Sequence, residues 1–141
     1  MEERQACGKL IKQINDELRK NANNAMRALD MTVAQLEALL ELDHAPEKQR
    51  SLKELEQSLH VAQSTAAGTI ARLEQKGFVE SFGDAADRRI KLVRITPVGI
   101  ACAGSAKADM LEAETRLLSG LTETEQDIFY TLLKKVRDSL G

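Results

Sequence analysis

The residues best equipped for chemistry lie in one short loop. Asp87, Arg88 and Arg89 follow one another at the end of the polar stretch GDAADR, so one carboxylate stands beside two guanidinium groups. Guanidinium groups hold oxyanions such as phosphate through paired hydrogen bonds, and a neighbouring carboxylate fixes the orientation of one of them. Nothing else in the chain matches that density. His44 and His60 are isolated, no glycine-rich loop suits a phosphate cradle, and no serine, histidine and acid arrangement stands out, so catalysis is not expected. The two cysteines, Cys7 and Cys102, are too far apart for a metal-ligand spacing, and no metal or cofactor is expected. Cys7 falls near the start of a helix with Arg4 and Lys9 beside it, a setting that favours thiolate and makes it the redox candidate. Cys102, between Ala101, Ala103 and Gly104, reads as a small buried residue.

The loop must be carried by something. Apolar-rich runs from Phe78 to Phe82 and from Ile90 to Ile95 flank it, which predicts a two-stranded hairpin with a basic tip. Before it, Leu52, Leu55 and Leu59 form one stripe of a short helix whose start is marked by Ser51 and Glu54, a capping box. A turn around His60 to Ala62 leads into a second helix from about Gln63 to Lys76. Its apolar positions are Ala66, Ile70 and Leu73, and Gly77 suits a left-handed stop. Helix, turn, helix and basic hairpin is the order of a winged helix-turn-helix, in which the second helix fits the major groove of duplex DNA and the wing reaches phosphate or the minor groove.

With Ala66, Ile70 and Leu73 facing inward, the second helix turns Ser64, Gly68, Ala71, Arg72 and Gln75 outward, with Thr65 and Ala67 at the sides. Gln63, Ser64 and Thr65 are placed to hydrogen-bond phosphate or base edges from the helix N-terminus. Ala67 and Ala71 offer methyls to thymine, Gly68 lets backbone approach the groove, and Arg72 with Arg88 and Arg89 is expected to supply much of the affinity. Asp87 supports the wing by holding one arginine. Gln75 and Lys76 read as a solvated helix end.

At 141 residues, 43% hydrophobic and 3% aromatic, the chain is expected to form one mainly α-helical domain with a core of Leu, Ile, Val and Ala. It has no long apolar run and no signal-peptide pattern, so a cytoplasmic protein away from membranes is expected. The net charge is -2, yet residues 51–95 carry seven basic and six acidic side chains and the remainder carries 13 and 16. DNA contact is therefore expected within that block, away from the acidic rest.

The flanking segments have their own signals. Leu10, Ile14 and Leu18, with Ile11 and Met26 beside them, give an amphipathic helix from roughly Glu3 to Leu29, fit either to cover its own core or to pack against a second chain. Thr32 and Gln35 cap a helix that runs to about Asp43, and residues 44–50 read as a polar linker in which Lys48 and Arg50 are solvated or graze phosphate. Thr96-Pro97 starts a helix to about Ser119, Ala- and Gly-rich at first, and Thr122 with Glu125 starts the last. Its stripe of Ile128, Phe129, Leu132, Leu133, Val136 and Leu140 adds apolar surface for a dimer interface.

These features together resemble the MarR family of transcriptional regulators over nearly the whole chain. The resemblance rests on Leu52 to Leu59 and the helix after it, on Arg72-Leu73-Glu74-Gln75-Lys76-Gly77-Phe78-Val79-Glu80, on Asp84 to Arg89, and on Arg94-Ile95-Thr96-Pro97-Val98-Gly99. It implies a homodimer on a pseudo-palindromic double-stranded operator, with residues 1–30 and 97–141 as dimerisation helices and 31–96 as the winged helix-turn-helix. It also implies repression relieved by a small aromatic effector or by thiol oxidation. The effector site would be lined by Met26, Met31, Leu36 and residues 98–102, although plain core is the alternative there. Two departures stand out. Relatives often carry Arg or another polar reader where this chain has Gly68, and Arg where it has Ser81. Relatives that sense peroxide through a first-helix cysteine use tyrosine partners, and the one tyrosine here is Tyr130. The acidic balance, Gly68 and Ser81 also keep open a second reading, a winged-helix antirepressor that dimerises with another regulator and binds DNA weakly or not at all.

Overall fold

Three capping boxes set where three of the helices begin. In each, a hydroxyl accepts a backbone N–H three residues on and a Gln or Glu side chain accepts the N–H of the hydroxyl residue: Thr32 with Gln35, Ser51 with Glu54, and Thr122 with Glu125. The Ser51 N–H is the chief reason the Glu54 carboxyl sits below its ordinary range. The computed structural model describes residues 3–141. Its elements run α1 (Cys7–Leu29), α2 (Val33–His44), a 3-10 turn (Pro46–Lys48), β1 (Gln49–Ser51), α3 (Leu52–Leu59), α4 (Gln63–Gln75), β2 (Val79–Gly83), β3 (Lys91–Ile95), α5 (Pro97–Leu117) and α6 (Glu123–Leu140). The fold is mainly α with a basic hairpin, as the sequence leads one to expect, and the first helix starts at Cys7 rather than Glu3.

The segment 44–50 departs from expectation. It is not a linker: after the 3-10 turn it forms β1, which pairs antiparallel with β3 and makes a three-stranded sheet of order β1-β3-β2. Three polar residues, Gln49, Arg50 and Ser51, carry no alternating apolar signal; the strand forms because β3 offers an open edge. Its charges are committed within the protein. Lys48 donates to the Asp43 carbonyl at 2.7 Å and to its carboxylate at 3.1 Å, while Arg50 bridges Glu41 and Glu54 at 3.7 and 3.2 Å.

The chain divides into two compact units, one running to Ala106 and the other covering Lys107–Gly141. In the first, Leu39, Leu42, Leu55, Ile70, Leu73 and Val93 are the largest side chains shut off from solvent, joined by Met31, Val79, Ile95 and Ala103. The start of α5 approaches closely because Gly99, Ala103 and Ala106 face inward. A Cβ at Gly99 would collide with the Phe78 carbonyl oxygen. Thr96 fastens this corner: its hydroxyl donates to the Gly77 carbonyl at 2.7 Å and accepts the Gly99 N–H at 3.1 Å. Gly77 has φ +79°, the left-handed conformation expected after α4.

α1 buries none of its residues. Leu10, Ile11, Ile14 and Leu18 remain 46, 50, 41 and 37% exposed, so the apolar stripe of this helix keeps a substantial part of its surface open to water. Within the second unit, Gln126 joins α6 to the preceding turn by donating to the Leu118 and Leu121 carbonyls at 3.2 Å, and α6 likewise leaves Ile128, Leu132, Leu133, Val136 and Leu140 exposed.

Candidate nucleic-acid interface

α4 is seated by its buried face and leaves the other face open. Ala66, Ile70 and Leu73 are shut into the core, and Gln63, Ser64, Thr65, Gly68, Ala71, Arg72 and Gln75 are exposed, with Ala67 half-buried. The helix begins at Ala62, which has no side chain to accept its first N–H groups. Those donors stand at the positive end of a 13-residue helix beside the Ser64 and Thr65 side chains, an arrangement that favours an anion. The turn before it is made by His60, exposed and left-handed at φ 54°, whose N–H bonds back to Gln57. Along the outer face there is open space where a Cβ would stand on Gly68, so backbone itself is presented there.

The wing carries the second half of the surface. Asp87 accepts from Arg89 Nε and from its terminal nitrogen, both at 3.0 Å, and accepts the Arg89 backbone N–H at 3.1 Å. These bonds to Arg89 hold the Asp87 carboxyl below its ordinary range, and the same pair raises the guanidinium further. The Arg89 side chain is nevertheless 89% exposed, so a cation is offered to solvent in a fixed direction. Arg88 is exposed beside it, and an open groove of about 300 Å³ runs past Ser81, Phe82, Gly83, Arg88 and Lys91. Lys91 belongs to this basic edge, a place that its position inside an apolar-rich strand does not signal in the sequence. On the wing's outer face Arg94 lies 4.6 Å from the Phe82 ring centre and pairs with Glu80 at 3.3 Å, so this arginine stiffens the sheet.

Two groups near the end of α4 tie it to other parts of the chain. Lys76 is not a solvated helix end: its ammonium donates to Gln35 Oε1 at 3.0 Å and to the Asp30 carbonyl oxygen, tying α4 to the corner between α1 and α2. The partners lie 41 and 46 residues away, which no local pattern reveals. Glu74 accepts the backbone N–H of Ser81 at 2.9 Å, joining α4 to the wing. The Ser81 hydroxyl is buried with no hydrogen-bond partner among the described residues.

Of the thiols, Cys7 is exposed at the first position of α1. Cys102 is half-buried with its sulfur 3.6 Å from that of Met31; burial pushes its thiol up and nearby Lys76 offsets part of this. Met31 is core, Leu36 and Cys102 pack against that core, and Val98 and Ile100 are exposed. Among the described residues no group of His, Cys, Asp or Glu is placed to hold a metal, and no helix is long and apolar enough to cross a membrane.

The MarR family model matches residues 29–90. The HTH-type transcriptional regulator YwaE of Bacillus subtilis, itself uncharacterised, is 36% identical over 80 residues, which is 57% of this chain and 47% of that protein. The chain thus spans about half the length of that relative. Among solved structures, wild-type MarR of E. coli without ligand is similar over 96% of this chain and 98% of its own, at 29% identity and a TM-score of 0.76. A point mutant of S. aureus MepR bound to an oligodeoxyribonucleotide is similar over 98% of this chain and 100% of its own, at 25% identity and a TM-score of 0.76. The stretch matched by the family model is the one that folds into α2, α3, α4 and the wing up to its tip, so the chain is similar to the MarR family over its helix-turn-helix and to a solved MarR structure over nearly its whole length.

Proposed function

We propose that this protein is a homodimeric, sequence-specific DNA-binding repressor that releases its operator when a small aromatic effector binds. The observation that carries the reading is the placement, in one compact unit, of a helix with an open polar face and of a wing whose Arg89 is held in a fixed direction by Asp87. α4 enters the major groove. Gln63, Ser64 and Thr65 meet phosphate or base edges at the helix N-terminus, Arg72 reaches a base or phosphate farther along, and Ala67 and Gly68 bring methyl and backbone close to thymine. Arg88 and Arg89 meet the backbone or the adjacent minor groove. That a MepR relative was solved on an oligodeoxyribonucleotide supports the same docking here.

Dimerisation follows from the uncovered faces. Residues 1–30 and 97–141 act as dimerisation helices in this reading, and the exposed Leu10, Ile11, Ile14 and Leu18 of α1 are apolar surface that a second copy would remove from water. A two-fold dimer presents two α4 helices to a pseudo-palindromic operator.

The test is a titration of the protein with the duplex just upstream of its own gene against scrambled duplex, at two salt concentrations. Selective binding that weakens with salt, by about 0.9 in log affinity per log salt for each phosphate neutralised, is the expected result. Arg88→Ala with Arg89→Ala should weaken binding and leave the oligomeric state intact. Absence of selectivity at both salts would overturn the reading in favour of a protein-interaction module, the alternative that the net charge of -2 favours.

A further inference from the structure

We propose that Glu74 is a positioning residue that fixes the angle between α4 and the wing, so that both engage one DNA site together; this rests on the DNA-binding reading above. The covalent link from α4 to β2 is the turn of Lys76, Gly77 and Phe78, in which Gly77 takes the left-handed conformation at φ +79° and its carbonyl accepts from Thr96. Beyond that turn the base of the wing is anchored by buried Val79, Val93 and Ile95. Farther out, Gly83, Arg88, Arg89, Ile90 and Lys91 are all exposed, so the tip has no core to rest on.

At the outer limit of this base, where Ser81 lies opposite buried Val93, a side chain of α4 reaches the wing. Glu74 Oε1 accepts the Ser81 N–H at 2.9 Å. β2 is the outer strand of the sheet, so this bond secures a strand on the side where no further strand can hold it. Its position gives it leverage: a strand advances about 3.3 Å per residue, so Asp84 lies about 10 Å beyond Ser81, and a 10° swing of the wing moves that point by about 2 Å. Such a displacement exceeds the tolerance of a hydrogen bond to phosphate. The location of the acid points the same way. A carboxylate in the last turn of a helix faces the negative end of the dipole, and one on a DNA-facing element repels phosphate. The bond to Ser81 is what that unfavourable placement achieves.

The experiment is a double-mutant cycle in DNA affinity, using a duplex recovered from a randomised pool by the wild-type protein. Glu74→Ala should lower affinity about three- to tenfold, the range of a single lost hydrogen bond. In a background of Arg88→Ala with Arg89→Ala it should have no further effect, because a wing without its cations gains nothing from being aimed. Glu74→Gln keeps an oxygen acceptor at the same reach and should behave as wild type. Glu74→Asp keeps the charge but falls short of Ser81 and should behave as Glu74→Ala. Amide hydrogen exchange at Ser81, measured without DNA, should quicken about tenfold in Glu74→Ala and Glu74→Asp only. Unchanged or tighter binding by Glu74→Ala, additive losses in the cycle, or Glu74→Gln failing like Glu74→Ala would each overturn the proposal. A wild-type protein that selects no duplex from the pool would instead overturn the DNA-binding reading itself, which keeps the two failures apart.

Discussion

Asp87 grips Arg89 with two side-chain hydrogen bonds of 3.0 Å and a third to its backbone, although the two residues are only two apart and both border solvent. A pair this local adds little to global stability, since exposed ion pairs are screened by water. Its value is orientation. Asp87→Ala should leave thermal unfolding nearly unchanged and reduce DNA affinity, while Asp87→Asn should fall between the two. The sign of the pH dependence is fixed by the same bonds. Asp87 is depressed below its ordinary range when folded, so the pairing is fully present above the unfolded aspartate range and is lost as pH falls through the lower folded value. An NMR titration of the Asp87 carboxyl should show a midpoint below that of an ordinary aspartate; a midpoint at or above it would remove the pairing from the solution structure.

Two glycines should respond to alanine in opposite ways. At Gly68 the new methyl meets open space and an exposed helix gains about 1 kcal/mol of propensity, so unfolding should shift upward. The same methyl stands on the DNA-facing side and should weaken selective binding. At Gly99 the methyl runs into the Phe78 carbonyl and the Ile95 side chain, both of which are backed by the core, and unfolding should shift downward by about 1–3 kcal/mol. Urea denaturation of the two variants measures both directions at once.

Lys76→Ala should destabilise the protein by about 1–2 kcal/mol through the lost bonds to Gln35 and the Asp30 carbonyl. Lys76→Met, which retains the aliphatic stem, separates packing from hydrogen bonding. Equal stability of wild type and both variants by urea denaturation would mean that the ammonium is solvated and the clamp absent.

Replacing Leu10 and Ile14 by Asp should convert a dimer to a monomer in analytical ultracentrifugation without lowering helix content. Both positions are exposed, at 46 and 41%, and neither belongs to the buried core. A dimer that survives both would place the interface elsewhere.

Much of the architecture is written in residues that act on near neighbours. The hydroxyl and acid or amide spacing at Thr32, Ser51 and Thr122 sets three helix starts, and the apolar spacing at Ala66, Ile70 and Leu73 sets which face of α4 stays open. Gly77 and the Asp87 to Arg89 tip are legible for the same reason, since each acts within a few residues. Tertiary structure alone decided what long-range pairing controls. β1 is a strand only because β3 offers it an edge, and its three polar residues hold no period of their own. Lys76 reaches partners more than 40 residues away, Glu74 meets a strand across a turn, and the charges of Lys48, Arg50 and Arg94 are committed inside the protein. A side chain's reach and charge are properties of the sequence, but its partner is chosen by the packing that brings distant backbone within hydrogen-bond range.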